Sequence, residues 1–425
     1  MSNKIVALIA FLSLILLLFF PIGSNFISIS LLLIIAYSKK VENKHYILIF
    51  LLSISIFSIV IASASKPLFN SFESDFVNYY NNYRYFLHGG FNLDYFEFAK
   101  GIEFLLPLMN YLFSLIIQEP YPYIVFVLFS FSILLGLVFL SKKISDYYNL
   151  TLSQRYILLG FMLIFYKFGT ATFYLRQTFS SLFILYAIFT TSKKKYIYLG
   201  IAFFFHISTI IVYPIAKTII LGNKKQVYLL GGFFIIFSSV ILLGGDKLLL
   251  FVLTDNSILA IKLHDFIAKV IHNNLEDLKR LIFATLSIAI YFIFLLLSIK
   301  ILKIKSEKIK LNLYLVILII ITLSFLPGLS LRLLNPIISF MIGFFFFKVL
   351  YNHLIHKQSL YIILVLFFLF QIKWFSNTSY YYNYKVMDYH PLYYLDDFLI
   401  KRDYWTNKRS LPKSTDIRLK NENKF

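Results

Sequence analysis

One arginine, Arg176, and one histidine, His206, sit inside long apolar runs of the stretch FGTATFYLRQTFSSLFILYAIFTTSKKKYIYLGIAFFFHISTIIVYPIAK, Phe168 to Lys217. A charged group at bilayer depth costs at least about 2.5–3.5 kcal/mol on insertion scales, so such residues mark candidate sites and call for a cavity or an anionic partner. Arginine stays charged at any accessible pH and presents a planar fork that matches phosphate oxygens. A second arginine, Arg332, lies in the turn PGLSLR. The order of spans brings both arginines to the external mouth, where a pair of guanidiniums can grip a pyrophosphate. Alternatively, each is an interfacial arginine that snorkels or props a helix bundle.

Asp75, in FESDFVNYYNNYR, and Arg84 lie together on the first external loop. A carboxylate beside a phosphate site can act as general base on a sugar hydroxyl if burial raises its pKa. Asp75 reads equally well as a solvated acid or a helix N-cap. Asp94, Glu97 and Glu103 are secondary candidates for the same task. His206, between FFF and ISTII, is either a neutral histidine hydrogen-bonded at a helix junction or a proton-handling group beneath the arginines. His264, His272 and His390 lack ligand spacing, and there is no DxD, HExxH, GxSxG, Walker or GxGxxG pattern, so no metal site, nucleotide site or cofactor is expected. With no cysteine, disulfides and thiolate chemistry are excluded.

The elements that must position these residues are membrane helices. A chain of 425 residues that is 59% hydrophobic and only 14% charged carries too much apolar surface for one soluble core. Its long apolar runs, bounded by Lys and Asn clusters, fit helices crossing about 30 Å of hydrocarbon rather than the alternating strands of a β-barrel. The net charge of +21 falls mostly in short clusters between spans, the positive-inside pattern, and no nucleic-acid-binding motif accompanies it.

Taken in order, Ile5–Phe20 forms an uncleaved first span, Phe26–Tyr37 returns to a cytoplasmic lysine cluster, and Tyr46–Ala62 leads outward. An external loop, residues 63–121, follows; its apolar run Phe104–Ile117 is too short to span and reads as interfacial or re-entrant. Ile124–Leu140, Tyr156–Phe168 and Thr172–Thr191 cross next, which places Arg176 near the outer face. Between Lys195 and Lys224 two half-depth helices meeting near His206 satisfy the charge rule, since broken helices are tolerated where they line protein or a cavity. A single span there is the alternative, and it would invert everything after it. Val227–Leu243 leads to a second external loop, residues 246–280, with an amphipathic surface helix around Leu259–Ile271. Leu281–Ile301, Leu313–Leu326, Leu334–Leu350 and Leu360–Trp374 complete about eleven spans. The fold class is all-α and polytopic: a transmembrane domain over residues 1–374 and a tyrosine-rich, then basic, tail over residues 375–425.

At these residues the sequence resembles the EpsG/Wzy-type family of polysaccharide repeat-unit polymerases. The likeness rests on Asp75, Tyr79 and Tyr80 in the first external loop, on YLRQTFSSLFILYAI with Arg176 and Gln177 and the basic cluster after it, and on FFFHISTIIVYP with His206 and Pro214. Arg332 and the segment with His390, Pro391 and Tyr393 fit loosely; the tail departs from the family's Pro-Tyr order. The resemblance implies a bacterial inner-membrane glycosyltransferase that joins undecaprenyl-diphosphate-linked O-antigen or capsule repeat units at the periplasmic face, without a cofactor. Asp75, Arg176 and His206 would then be catalytic, while Arg84, Gln177 and Arg332 would hold pyrophosphate or glycan. Partners would be the lipid-linked oligosaccharide, membrane lipid and a chain-length regulator protein, with no nucleic acid. A lipid-linked oligosaccharide flippase, another lipid-carrier glycosyltransferase and an O-antigen ligase are the rival readings.

Overall fold

The computed structural model describes residues 3–37, 44–64, 75–118, 122–167, 171–172, 174–252, 275–324, 326 and 328–351. Among these residues all regular structure is helical. The chain divides into two units, Met1–Ile207 with Leu354–Phe425, and Ser208–His353.

The described part of the first unit carries α1 (Asn3–Phe19), α2 (Pro21–Tyr37), α3 (His45–Ala64), α4 (Asp75–Gly89), a 3-10 turn (Leu93–Tyr95), α5 (Leu105–Ile116), α6 (Pro122–Tyr147), α7 (Leu152–Ile164), α8 (Leu175–Ile188) and α9 (Lys194–Phe205). Pro21 occupies the first position of α2, where its fixed φ and missing N–H suit a helix start. The second helix therefore begins five residues before the expected Phe26, with a single residue between it and the end of α1. Small hydroxyl side chains let α1, α2 and α3 approach closely. Ser13 Oγ lies 2.6 Å from Ser28 Oγ, Ser24 Oγ donates to the Ser13 carbonyl at 2.7 Å, and Ser58 Oγ donates to Ser24 Oγ at 3.1 Å. Ser55 Oγ donates to Asn25 Oδ1 at 2.7 Å. Each of these polar atoms is buried and partnered inside the bundle, as a helix contact at membrane depth requires.

The segment expected as a long external loop contains two packed helices. Asparagines from NYYNNYR tie them: Asn110 Nδ2 of α5 donates to the Tyr79 carbonyl and to Asn82 Oδ1, each at 3.0 Å, and Asn82 Nδ2 donates to the Tyr95 carbonyl at 2.7 Å. Tyr83 OH closes the end of α5 on the Ile117 carbonyl at 2.5 Å. At about 1.5 Å rise per residue, the 12 residues of α5 reach well short of the hydrocarbon thickness.

The second unit holds α10 (Thr209–Leu221), α11 (Lys224–Val252), α12 (Leu275–Ile301), α13 (Glu307–Thr322), the short α14 (Leu329–Leu333), a π-helical turn (Ile337–Met341) and α15 (Ile342–Leu350). Here the structure corrects the second loop. α11 runs through Gly244, Gly245 and Asp246 to Val252, because the LLLFV that follows restores an apolar helix after two glycines costing about 1 kcal/mol each. α12 begins at Leu275, six residues before the expected start. The amphipathic segment Leu259–Ile271, the span Leu360–Trp374 and the tail lie outside the described residues.

Among the described residues, three helical stretches, His45–Ala64, Tyr123–Tyr147 and Lys224–Ile241, are long and apolar enough to cross a membrane. Shorter apolar helices include Val6–Phe19, Pro21–Tyr37, Leu152–Ile164 and Ile337–Leu350. The chain is a multi-pass helical membrane protein.

Candidate functional site

The site is built around a turn. Ala99, Lys100 and Gly101 take positive φ values of 48°, 56° and 87°, a left-handed run that costs roughly 1–2 kcal/mol at each non-glycine residue. The run is closed by two hydrogen bonds to the Phe98 carbonyl, from Gly101 N–H at 3.1 Å and Glu103 N–H at 3.2 Å. Phe98 and Glu103 are thereby turned toward the same arginine. Strained backbone of this kind persists only where its surroundings hold it, and it concentrates at functional sites. Phe104, next in the chain, sets its ring 4.8 Å from that of Phe204, which seats the turn against the end of α9.

The Glu103 side chain is 1% exposed and is satisfied on both oxygens. Oε2 accepts from Arg176 Nη1 at 2.6 Å; Oε1 meets His206 Nδ1 at 3.0 Å and accepts from the Ile207 N–H at 3.1 Å. Arg176 stands in the first turn of α8, where the helix dipole disfavours a cation by about 0.3–1 kcal/mol, so its position is not chosen for the helix. Its Nε donates to Tyr79 OH at 3.1 Å, and its guanidinium lies 4.8 Å from the Phe98 ring centre and 5.6 Å from that of Tyr79. His206 caps the C-terminus of α9 in an extended conformation that breaks the helix, with its N–H on the Ala202 carbonyl at 3.0 Å. Below, stacked rings bind α8 to α9: Phe205 lies 5.2 Å from Phe179 and 5.7 Å from Phe183.

Burial by itself raises the Glu103 pKa, but the hydrogen bond and charge of His206, the charge of Arg176 and the Ile207 amide outweigh it and hold the carboxyl at about 2, against an ordinary 4.5. Glu103 is therefore ionised at neutral pH. The Arg176 and His206 side chains remain 23% and 21% exposed. A buried anion thus holds, one on each oxygen, a permanent cation and an imidazole that both stay within reach of a ligand. Such a pair can bind an anionic group and handle a proton beside it.

The EpsG family model matches residues 54–390, which contain every residue of this cluster. The chain belongs to the EpsG family. That family is a Wzy-type, polymerase-like family, and membership carries a function of the Wzy-like polymerase or related membrane glycosyl-transfer kind. No curated protein and no solved structure matches the chain.

Of the residues expected from sequence, the first unit of this EpsG-family chain brings Arg176 and His206 together on one carboxylate. Gln177 follows Arg176 on α8 and is buried at 4% exposure. Arg84 is half-buried on α4. Asp75 opens α4, and its side chain lies outside the described residues. Arg332 is exposed on α14 in the second unit, where Gly328, at φ 70°, starts that helix. The carboxylate beside Arg176 comes from Glu103, ranked in sequence only among several loop acids. Phe98 was not singled out at all. Lys167, 2% exposed, also escaped notice; a lysine within the apolar run of the expected span Tyr156–Phe168 was the available signal. Among the described residues no cluster of metal-ligating side chains is present.

Proposed function

We propose that this protein is a polysaccharide repeat-unit polymerase acting at the periplasmic face of the bacterial inner membrane, which joins undecaprenyl-diphosphate-linked oligosaccharides of an O-antigen or a capsule. The observation that carries the reading is the joining of Arg176 and His206 through the buried carboxylate of Glu103. Family membership supports the same class of reaction. In this transfer the growing chain leaves its carrier and passes to a sugar hydroxyl of a second lipid-linked unit. Negative charge develops on the departing diphosphate, and a preorganised cation placed there acts most strongly in a site poor in water. Arg176 has that character: its charge is permanent, and the Tyr79 and Phe98 rings and Glu103 hold its guanidinium in place. Gln177, Arg84 and Arg332 are further candidates for diphosphate or glycan, Asp75 for acceptor chemistry, and a chain-length regulator protein for a partner.

The test is genetic and then point-specific. A strain deleted for the gene displays glycan of one repeat unit if the protein polymerises, and none if it flips or ligates lipid-linked units. Complementation with Arg176→Ala at normal protein level leaves the single-unit band without a ladder. A normal ladder from that variant removes Arg176 from the reaction, and a deletion strain without the single-unit band removes the polymerase reading.

A further inference from the structure

The cluster divides its labour in a way that the order of residues in the chain does not reveal. An ionised carboxylate only accepts hydrogen bonds, so the His206 nitrogen that meets Glu103 at 3.0 Å must carry the hydrogen. In the neutral form that can take up a proton, the imidazole holds one hydrogen, and the lone pair then belongs to the opposite nitrogen, Nε2. We infer that Glu103 is a positioning residue that fixes His206 as its Nδ1–H tautomer, making Nε2 the base that takes the proton of the acceptor hydroxyl.

The inference rests on the polymerase reading and names how that reaction activates its acceptor. The acceptor oxygen bonds to the anomeric carbon of the donor chain as the bond from that carbon to the carrier diphosphate breaks, and the bonding pair leaves with the diphosphate. The hydroxyl proton moves to Nε2, and the imidazolium formed is balanced by Glu103 across Nδ1. The new negative charge on the diphosphate falls to Arg176, on the other oxygen of the same carboxylate. The proton then returns to water or to the departed diphosphate. His206 faces Glu103 and, through it, Arg176 with Tyr79. Two further features favour the arrangement over a mere strut. The Ile207 amide donates to the same oxygen that meets Nδ1, which holds the carboxylate in register with the ring. His206 also keeps part of its side chain exposed while Glu103 is sealed behind it.

The experiment uses purified full-length variants added to membranes of the deletion strain, which hold the host's own diphosphate-linked repeat units, with polymer length and rate as readouts. His206→Ala loses at least a hundredfold in rate, and added imidazole restores part of it. Across a series of substituted imidazoles the restored rate rises with the pKa of the rescuer, as proton transfer requires. Glu103→Gln lowers kcat with little change in the KM for the repeat unit, and in the double variant His206→Ala/Glu103→Gln the rescue is lost. A rescue independent of rescuer pKa, a His206→Ala variant of full activity, or unchanged rescue in the double variant overturns the inference while the wild-type chain still polymerises. If the wild-type chain makes no polymer in the same membranes, the polymerase reading itself falls. Retention of the wild-type elution profile by each variant separates these outcomes from unfolding.

Discussion

Replacing Glu103 with glutamine removes a charge and keeps a shape, so it measures what the buried carboxylate does for the fold. The Glu103 carboxyl is held at about 2 instead of 4.5. At about 1.36 kcal/mol per unit, that depression corresponds to about 3 kcal/mol of native-state stabilisation at neutral pH. Breaking a buried ion pair by removing one partner costs about 3–5 kcal/mol in general, which agrees in size. The sign follows from the direction: the folded pKa lies below the unfolded one, so the contribution is complete above about pH 4.5 and disappears as pH falls toward 2. Thermal unfolding of wild type and Glu103→Gln in the same detergent, measured across that range, reads it directly. The variant melts well below wild type at pH 7, and the gap narrows steadily as the medium is acidified. Other carboxylates titrate in both proteins and cancel in the difference. Equal melting temperatures at pH 7, or a gap that stays constant down to pH 3, refute the account of Glu103 as an ionised, doubly partnered anion.

Three further outcomes follow from the same geometry. Arg176→Lys keeps the charge but loses the fork and the Nε bond to Tyr79, and a hydrogen bond involving a charged group is worth about 1.5–3 kcal/mol, so the polymerisation rate falls by about ten- to a hundredfold in the glycan-ladder assay. Gly101→Ala places a side chain at φ 87° and destabilises the turn by roughly 1–2 kcal/mol; polymer yield per folded molecule falls with it, since the turn aims both Phe98 and Glu103. Ser24→Ala removes the bonds to Ser13 and Ser58 in the α1–α3 contact; at about 0.6 kcal/mol per membrane hydrogen bond it lowers the melting temperature slightly and leaves polymer length unchanged.

The sequence made the solvent of this fold legible, and with it the sites where charge is expensive. Arg176 and His206 stood out because they are ionisable residues set in long apolar runs, and the helix break at His206 fell where the spacing of lysine clusters leaves no room for two full spans. Glu103 did not stand out, for a physical reason. It sits in a segment that also carries Asp94 and Glu97, and from sequence all three are loop acids. What separates them is the left-handed run at residues 99–101, which buries Glu103 and leaves Asp94 and Glu97 at the surface. Two of its three members are not glycine, so composition does not announce it. The pairing of α4 with α5 was hidden in the same way, because asparagines that read as loop residues serve as the cross-links between two helices.

The depressed pKa of Glu103 also argues against Glu103 itself as the base. Proton transfer is most effective when the base has a pKa near the operating pH, and a carboxylate held at about 2 binds a hydroxyl proton too weakly to help. The forces that spoil Glu103 as a base, the Arg176 charge and the His206 hydrogen bond, are the ones that make it an effective holder of both. An acid substituted elsewhere in the loop therefore cannot replace it by supplying basicity alone. Glu103→Asp, one methylene shorter, cannot span Arg176 and His206 from the same backbone position, so that variant loses rate although it keeps the charge. If Glu103→Asp supports a full-length ladder, a single carboxylate bridging the two groups is not what the site requires.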